Sequence, residues 1–239
     1  MAEIEGGSPV AELVAALVAA RAARVLAGAP GPTAAVFSGA IGAGKTTTIR
    51  LVAQALAARG FSVATVPERL PAHLFAKYLA DPAAHAWLFQ AAMAHLRAHD
   101  AYDAFEQDVD FLLFERYIGE DGVFFDANVA SGTIDLAAHP EYAAEYAAIT
   151  GSAETYFRAR CALFVNVHTT FELACARMSR RDRPGERDAY TDNPYFRTVF
   201  DMREAWIAAQ ADAWGGRVVT FDNRAHSPLH VSACEITGN

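Results

Sequence analysis

Residues 39–46 read GAIGAGKT and satisfy G-x-x-x-x-G-K-[ST] at every fixed position. In that pattern Gly39, Gly42 and Gly44 allow a tight turn whose N–H groups converge on phosphate oxygens. Lys45 reaches toward the β- and γ-phosphates, and the Thr46 hydroxyl suits Mg2+. Ala40, Ile41, Ala43 and Thr47 fill out the stretch expected to touch the nucleotide. Two further charged groups end apolar runs: Glu68 in VPERLP (66–71), and Glu115 with Arg116 in LLFERYIGED (112–121). Phosphoryl transfer needs a phosphate cradle, a metal, an acceptor for the attacking hydroxyl's proton, and positive charge around the moving phosphoryl. Lys45, Thr46, Glu68, Glu115 and Arg116 together meet all four needs. Singly, each has a plainer reading: Glu68 as a solvated loop acid, Glu115 and Arg116 as a structural ion pair.

The run ARMSRRDR (176–183) ends a helical pattern with Arg177, Arg180, Arg181 and Arg183. A solvated basic face explains such runs in general. In an acidic chain that already carries a phosphate loop, a lid of arginines closing over the nucleotide is an equal reading. Gln90 and Arg97 stand seven apart on one expected helix, and Asp121 and Phe125 four apart on another, so each pair shares a face. Amide, guanidinium, carboxylate and aromatic plate in one pocket suit a nucleobase. Two ordinary amphipathic helices would explain Phe125 but not inward charges at 97 and 121.

These groups need a scaffold, and strands alternate with helices along the chain. Strands are expected over 33–38, 61–66, 109–114, 162–167 and 217–221, and helices over 10–26, through 59, 72–80, 82–102, 117–129, 140–160, 170–181 and 194–213. This alternation predicts an α/β fold, a P-loop NTPase with a parallel five-stranded sheet flanked by helices and ligands beyond the strands' carboxyl ends. Residues 1–32 read as an N-terminal helix and linker, and 33–239 as the main domain, with a lid over about 177–194.

With 239 residues, 53% of them hydrophobic, the chain is long enough for one full core. Its net charge of −8 argues against tight binding to a nucleic-acid polymer. Cys161, Cys175 and Cys234 form no CxxC pair, which points to reduced thiols in a cytoplasmic protein. No apolar run is long enough to span a membrane, and Glu3, Glu5 and Glu12 speak against a targeting segment.

In this order the pieces resemble the deoxyribonucleoside kinases, P-loop enzymes that phosphorylate the 5′-hydroxyl of deoxynucleosides, from about Thr33 to Phe221. The resemblance implies ATP as donor, Mg2+ and a homodimer. It makes Glu68 the general base, Gln90 in DPAAHAWLFQ (81–90) a two-point contact to the base, Glu115 a Mg2+ ligand, and Arg116 a contact to the reacting phosphate that also holds Glu68. Phe125, followed by Asn128, corresponds to the ring stacking on the base. Arg177, Arg181, Arg183 and Glu186 correspond to the lid, the acid serving the 3′-hydroxyl, and Tyr195 with Trp206 match the following helix. Arg97 with Asp121 is similar to the deoxycytidine and deoxyguanosine kinase branch. A carboxylate accepts from an exocyclic amine that thymine lacks. The expectation is therefore deoxycytidine and purine deoxynucleosides over thymidine.

The sequence departs from the family's pattern at several positions. Arg69 follows Glu68, His73 stands where a Trp is usual, Leu79 takes the sugar tyrosine's place with Tyr78 beside it, and Tyr117 replaces a serine. The sequence ERY (115–117) also fits a thymidylate-type monophosphate kinase, and the loop alone fits a nucleotide-hydrolysing switch. His95 and His99 lack an evident third metal ligand, and Asp222-Asn223 is expected near the adenine.

Overall fold

The computed structural model describes residues 8–29, 31–181 and 194–224. Five strands, β1 (Thr33–Ser38), β2 (Val63–Val66), β3 (Phe111–Glu115), β4 (Cys161–His168) and β5 (Val218–Asp222), form one parallel sheet ordered β2-β3-β1-β4-β5. Among the described residues eight helices flank it: α1 (Pro9–Leu26), α2 (Lys45–Ala57), α3 (Ala72–Ala80), α4 (Pro82–Phe105), α5 (Ile118–Ala130), α6 (Glu141–Arg160), α7 (Phe171–Arg181) and α8 (Pro194–Ala213).

The central strands are mostly apolar because both faces are covered, with polar residues such as Ser38, Glu115 and Asn166 toward their carboxyl ends. Ala35 and Phe37 of β1 point into one apolar cluster, Ala34 and Val36 into the other. Leu113 and Phe111 join the first cluster, Leu112 and Phe114 the second. Helix α1 is capped by Ser8, whose side chain accepts from Ala11 N–H. It buries Val10, Leu13, Val14 and Leu17, one helical stripe, in the first cluster.

Element boundaries shift for identifiable reasons. The second strand begins at Val63 rather than 61, because Phe61 packs edge-on against Phe111 and the Asp110 carboxylate accepts from the Ser62 N–H and hydroxyl. The third strand extends to Glu115, which lies in register with Phe37. Helix α4 runs on to Phe105, whose ring packs on Phe114 and Phe157. The sheet order sends the chain from β1 outward to β2, back to β3, and across to β4, so the reversal falls at the end of β1, where the phosphate loop starts.

Candidate active site

The loop from Gly39 leads straight into α2, with Gly44 as its N-cap at φ +96. Gly42 has φ +80, and a Cβ there would lie 2.5 Å from the Ala174 carbonyl oxygen, so only glycine fits. Lys45 is buried and donates to the carbonyls of Gly39 (2.7 Å) and Ala40 (3.1 Å). Burial pushes its ammonium down to about 7, helped by Arg116 and opposed by Glu120, Glu68 and Glu115. Thr46 Oγ1 donates to Glu115 Oε1 at 2.6 Å. The loop is braced from behind: Ala43 carbonyl accepts from Arg177 Nη1 (3.0 Å) and Asn223 Nδ2 (2.7 Å), while Arg177 Nη2 donates to Asn223 carbonyl (2.9 Å). Arg177, expected in the lid, thus grips the loop backbone, and Arg181 borders the cavity. Arg183 and Glu186 lie outside the described residues.

Glu68, just past β2, accepts from Arg116 Nε at 2.8 Å and Arg97 Nη2 at 3.2 Å. Burial alone would raise its pKa, but Arg116, Arg97 and Lys45 outweigh burial and bring it down to about 2. Arg116 follows β3 with φ +78, a left-handed conformation uncommon for a residue with a side chain. Its N–H still donates to Phe37 carbonyl (2.9 Å).

A cavity of about 320 Å3 is bordered by Ile41, Gly42, Lys45 and Thr46, by Glu68, Glu115 and Arg116, and by Tyr78, Phe89, Gln90, Met93 and Asp121. The sheet's end and α4 and α5 therefore bring Gln90 and Asp121 to the same space as the loop. Arg97 stands behind Asp121, Nε to Oδ2 at 2.6 Å, and burial raises the Asp121 carboxyl despite that partner. Tyr78 borders the cavity where the neighbouring Leu79 does not. Its hydroxyl donates to Asn128 Oδ1 (3.1 Å), and Asn128 Nδ2 donates to Tyr195 Oη (2.8 Å). Phe125 is buried and stacked on Tyr146 at 4.3 Å between ring centroids, while its neighbour Phe124 borders the cavity under Arg116. Tyr117 faces away into the core, donating to Glu154 (2.8 Å) and accepting from Arg158 (3.3 Å).

Sequence reasoning overlooked Glu120 and Arg203. Both are buried beneath the loop, and Glu120 accepts from Gly39 N–H and from Arg203 Nε. The four-residue spacing from Arg116 was a usable signal for Glu120; nothing local pointed to Arg203. His95 and His99 stay on the outside of α4, with His99 beside exposed Asp103, and no group of three metal-ligating side chains occurs among the described residues.

A family model described as deoxynucleoside kinase matches residues 36–229. Solved structures of deoxyadenosine kinase from M. mycoides share the fold: the form with bound dATP has a TM-score of 0.65 at 19% identity, covering 85% of this chain and 97% of that one. The form with bound dCTP has a TM-score of 0.61 at 16% identity over the same shares. No curated protein matches the chain.

Proposed function

The chain belongs to the deoxynucleoside kinase family, and on that basis we propose that it transfers the terminal phosphoryl of ATP to the 5′-hydroxyl of deoxycytidine or a purine deoxynucleoside in preference to thymidine. The observation that carries the reading is the position of Glu68. This carboxylate, clamped by Arg116 and Arg97, borders a cavity that it shares with Lys45 and Thr46 and with Gln90 and Asp121.

In this reading the loop N–H groups and Lys45 hold the donor phosphates. Glu68, ionised at neutral pH, aligns the 5′-hydroxyl and takes its proton as the bond to phosphorus forms; a loose transition state demands little basicity until late, so a low pKa is no obstacle. Arg116 keeps Glu68 oriented and offers positive charge to the moving phosphoryl, with Arg177 and Arg181 adding more. Thr46 and Glu115 would hold Mg2+: a hydroxyl and a carboxylate are hard oxygen donors and fit an ion that keeps most of its waters. When bound, Mg2+ supplies charge neutralisation to the donor phosphates. Gln90 and Asp121 would read the base edge, and Tyr78, Tyr195 and Asn128 the sugar. We place the lid over about 177–194, with Arg183 and Glu186 in it. The reading includes a homodimer, by resemblance, and a cytoplasmic setting, consistent with free Cys161 and Cys175. No helix among the described residues is long and apolar enough to cross a membrane.

The monophosphate-kinase alternative drew on Tyr117, whose hydroxyl is committed to Glu154 and Arg158 in the core. Initial rates with ATP and Mg2+ against a panel of the four deoxynucleosides and dTMP test the reading. Turnover of deoxycytidine and deoxyadenosine above thymidine, with dTMP inert, is expected. Turnover of dTMP alone, or ATP loss independent of any nucleoside, would overturn it.

A further inference from the structure

Glu120 is a charged group that the transfer reading leaves idle. It lies in the first turn of α5 and is 0% exposed, and a buried carboxylate is costly unless its surroundings compensate it. Its Oε1 accepts from Gly39 N–H and from Arg203 Nε, both at 3.2 Å, and lies 3.5 Å from Arg116 Nη1. The carbonyl of the same Gly39 accepts from the Lys45 ammonium at 2.7 Å. The opening residue of the phosphate loop is thus held on both sides, N–H by Glu120 and C=O by Lys45. Arg203 arrives from α8 and is itself fixed, donating to Asn166 Oδ1 (2.6 Å), Ser38 Oγ (3.2 Å) and Glu204 Oε1 (2.8 Å).

We infer that Glu120, backed by Arg203, is a positioning residue that keeps the phosphate loop and the Arg116 guanidinium in one register. Arg116 spans the gap between Glu120 and Glu68, so the carboxylate that steadies it from below decides where it meets both the proton acceptor and the moving phosphoryl. Two cations, Arg116 and Arg203, lie against this one anion, and the Lys45 ammonium acts on it electrostatically from the far side of Gly39. Glu68 is already the closer carboxylate to Arg116, at 2.8 Å against 3.5 Å; neutralising Glu120 removes the opposing pull, and the guanidinium shifts toward Glu68 and the cavity. The inference rests on the role proposed above for Arg116.

The test is Glu120→Gln, which keeps the shape and the acceptor for Gly39 but removes the charge. Calorimetric titration with deoxycytidine counts folded sites, and kcat is then expressed per site. A fall of about 10- to 100-fold in kcat is expected, because misplacement by about 1 Å costs on that order, with the nucleoside KM within about threefold. In an Arg116→Lys background the Glu120 change should lower kcat by no more than about twofold further. Arg203→Lys, which keeps the charge but not the fork, should lower kcat in the same way and serves if Glu120→Gln does not fold. Wild-type kcat per site in either variant, activity lost only in proportion to sites, or a full-sized further loss beside Arg116→Lys would overturn the inference. If Arg116→Lys itself keeps full kcat, the failure belongs to the role of Arg116 and not to its support.

Discussion

Replacing Asp121 by Ala should change stability and base choice by separable amounts. Arg97 and Asp121 form a buried pair, with side chains 7% and 4% exposed and Nε 2.6 Å from Oδ2. Removing one partner of a buried pair costs about 3–5 kcal/mol. Arg97 keeps Glu68 at 3.2 Å and the Glu115 carbonyl at 3.5 Å, so the low end, about 3 kcal/mol, applies. For a chain of this size about 1 kcal/mol moves Tm by about 2–4 °C, which gives a fall of about 6–12 °C. If the carboxylate also accepts from an exocyclic amine, a hydrogen bond to a charged group worth about 1.5–3 kcal/mol is lost as well, about 10- to 150-fold. That loss should appear in kcat/KM for deoxycytidine and deoxyadenosine relative to thymidine. The double variant Arg97→Leu with Asp121→Leu removes both charges and should recover part of the Tm, the Arg97–Glu68 pair being lost as well, without recovering discrimination. The assays are thermal unfolding and initial rates with each nucleoside. A kcat/KM ratio unchanged within about twofold in Asp121→Ala would refute a base-reading role, whatever happened to Tm.

Gly42→Ala forces a side chain onto φ +80 and onto the Ala174 carbonyl at 2.5 Å; calorimetry should show ATP binding weakened at least tenfold (about 1.4 kcal/mol or more) with nucleoside binding retained, and unaltered ATP affinity would contradict the loop geometry. Tyr117→Phe removes a hydroxyl bonded to Glu154 and Arg158; it should cost about 1 kcal/mol and leave kcat within about twofold, whereas a large loss of kcat would bring Tyr117 into the site. The Glu68 carboxyl, ordinarily 4.5, stands at about 2 in the fold. A depressed carboxyl stabilises the fold fully above the unfolded value and loses that contribution as pH falls from about 4.5 through about 2, a span worth about 3 kcal/mol. Asp121, shifted upward, works in the opposite sense, so the comparison is between wild type and Glu68→Gln in urea unfolding at pH 5 and 2.5. Identical pH slopes for the two proteins would show that the ion pairs of Glu68 are not felt.

The phosphate loop was legible in the sequence because each of its requirements is local: turn, lysine and hydroxyl are set by neighbours within eight residues. Glu68, Glu115 and Arg116 were legible because a strand's carboxyl end has a fixed address in a parallel sheet. Gln90 and Arg97 were legible because helical spacing puts them on one side of α4, and both are buried there. Phe125 was expected to be the stacking ring, but it packs on Tyr146 and its neighbour Phe124 borders the cavity; about 100° of helix rotation separates the two, and the phase of α5 follows the left-handed turn at Arg116. That turn is a backbone event with no residue signature; arginine is a poor advertisement for positive φ. The same turn leaves Tyr117 in the core although its neighbour in ERY faces the site. Arg203 was invisible for a different reason: its partners Ser38 and Glu120 lie 165 and 83 residues away.

Those long separations bear on how the enzyme is made. Asn223 donates to Ala43 across 180 residues, and Arg203 to Ser38 across 165. At about 5–20 residues per second, a ribosome releases the phosphate loop about 8–36 s before Arg203 and Asn223, the last of the groups described here that brace it. Through that interval the nascent chain carries the complete G-K-T signature on a turn whose braces arrive one after another, Glu120 first, then Arg177, Arg203 and Asn223. A fragment ending before residue 203 would therefore keep the motif, Glu120 and Arg177 but lack Arg203 and Asn223, which back Glu120 and Arg177 from behind. Nucleotide bound to the finished loop would then stabilise the state in which α8 has docked.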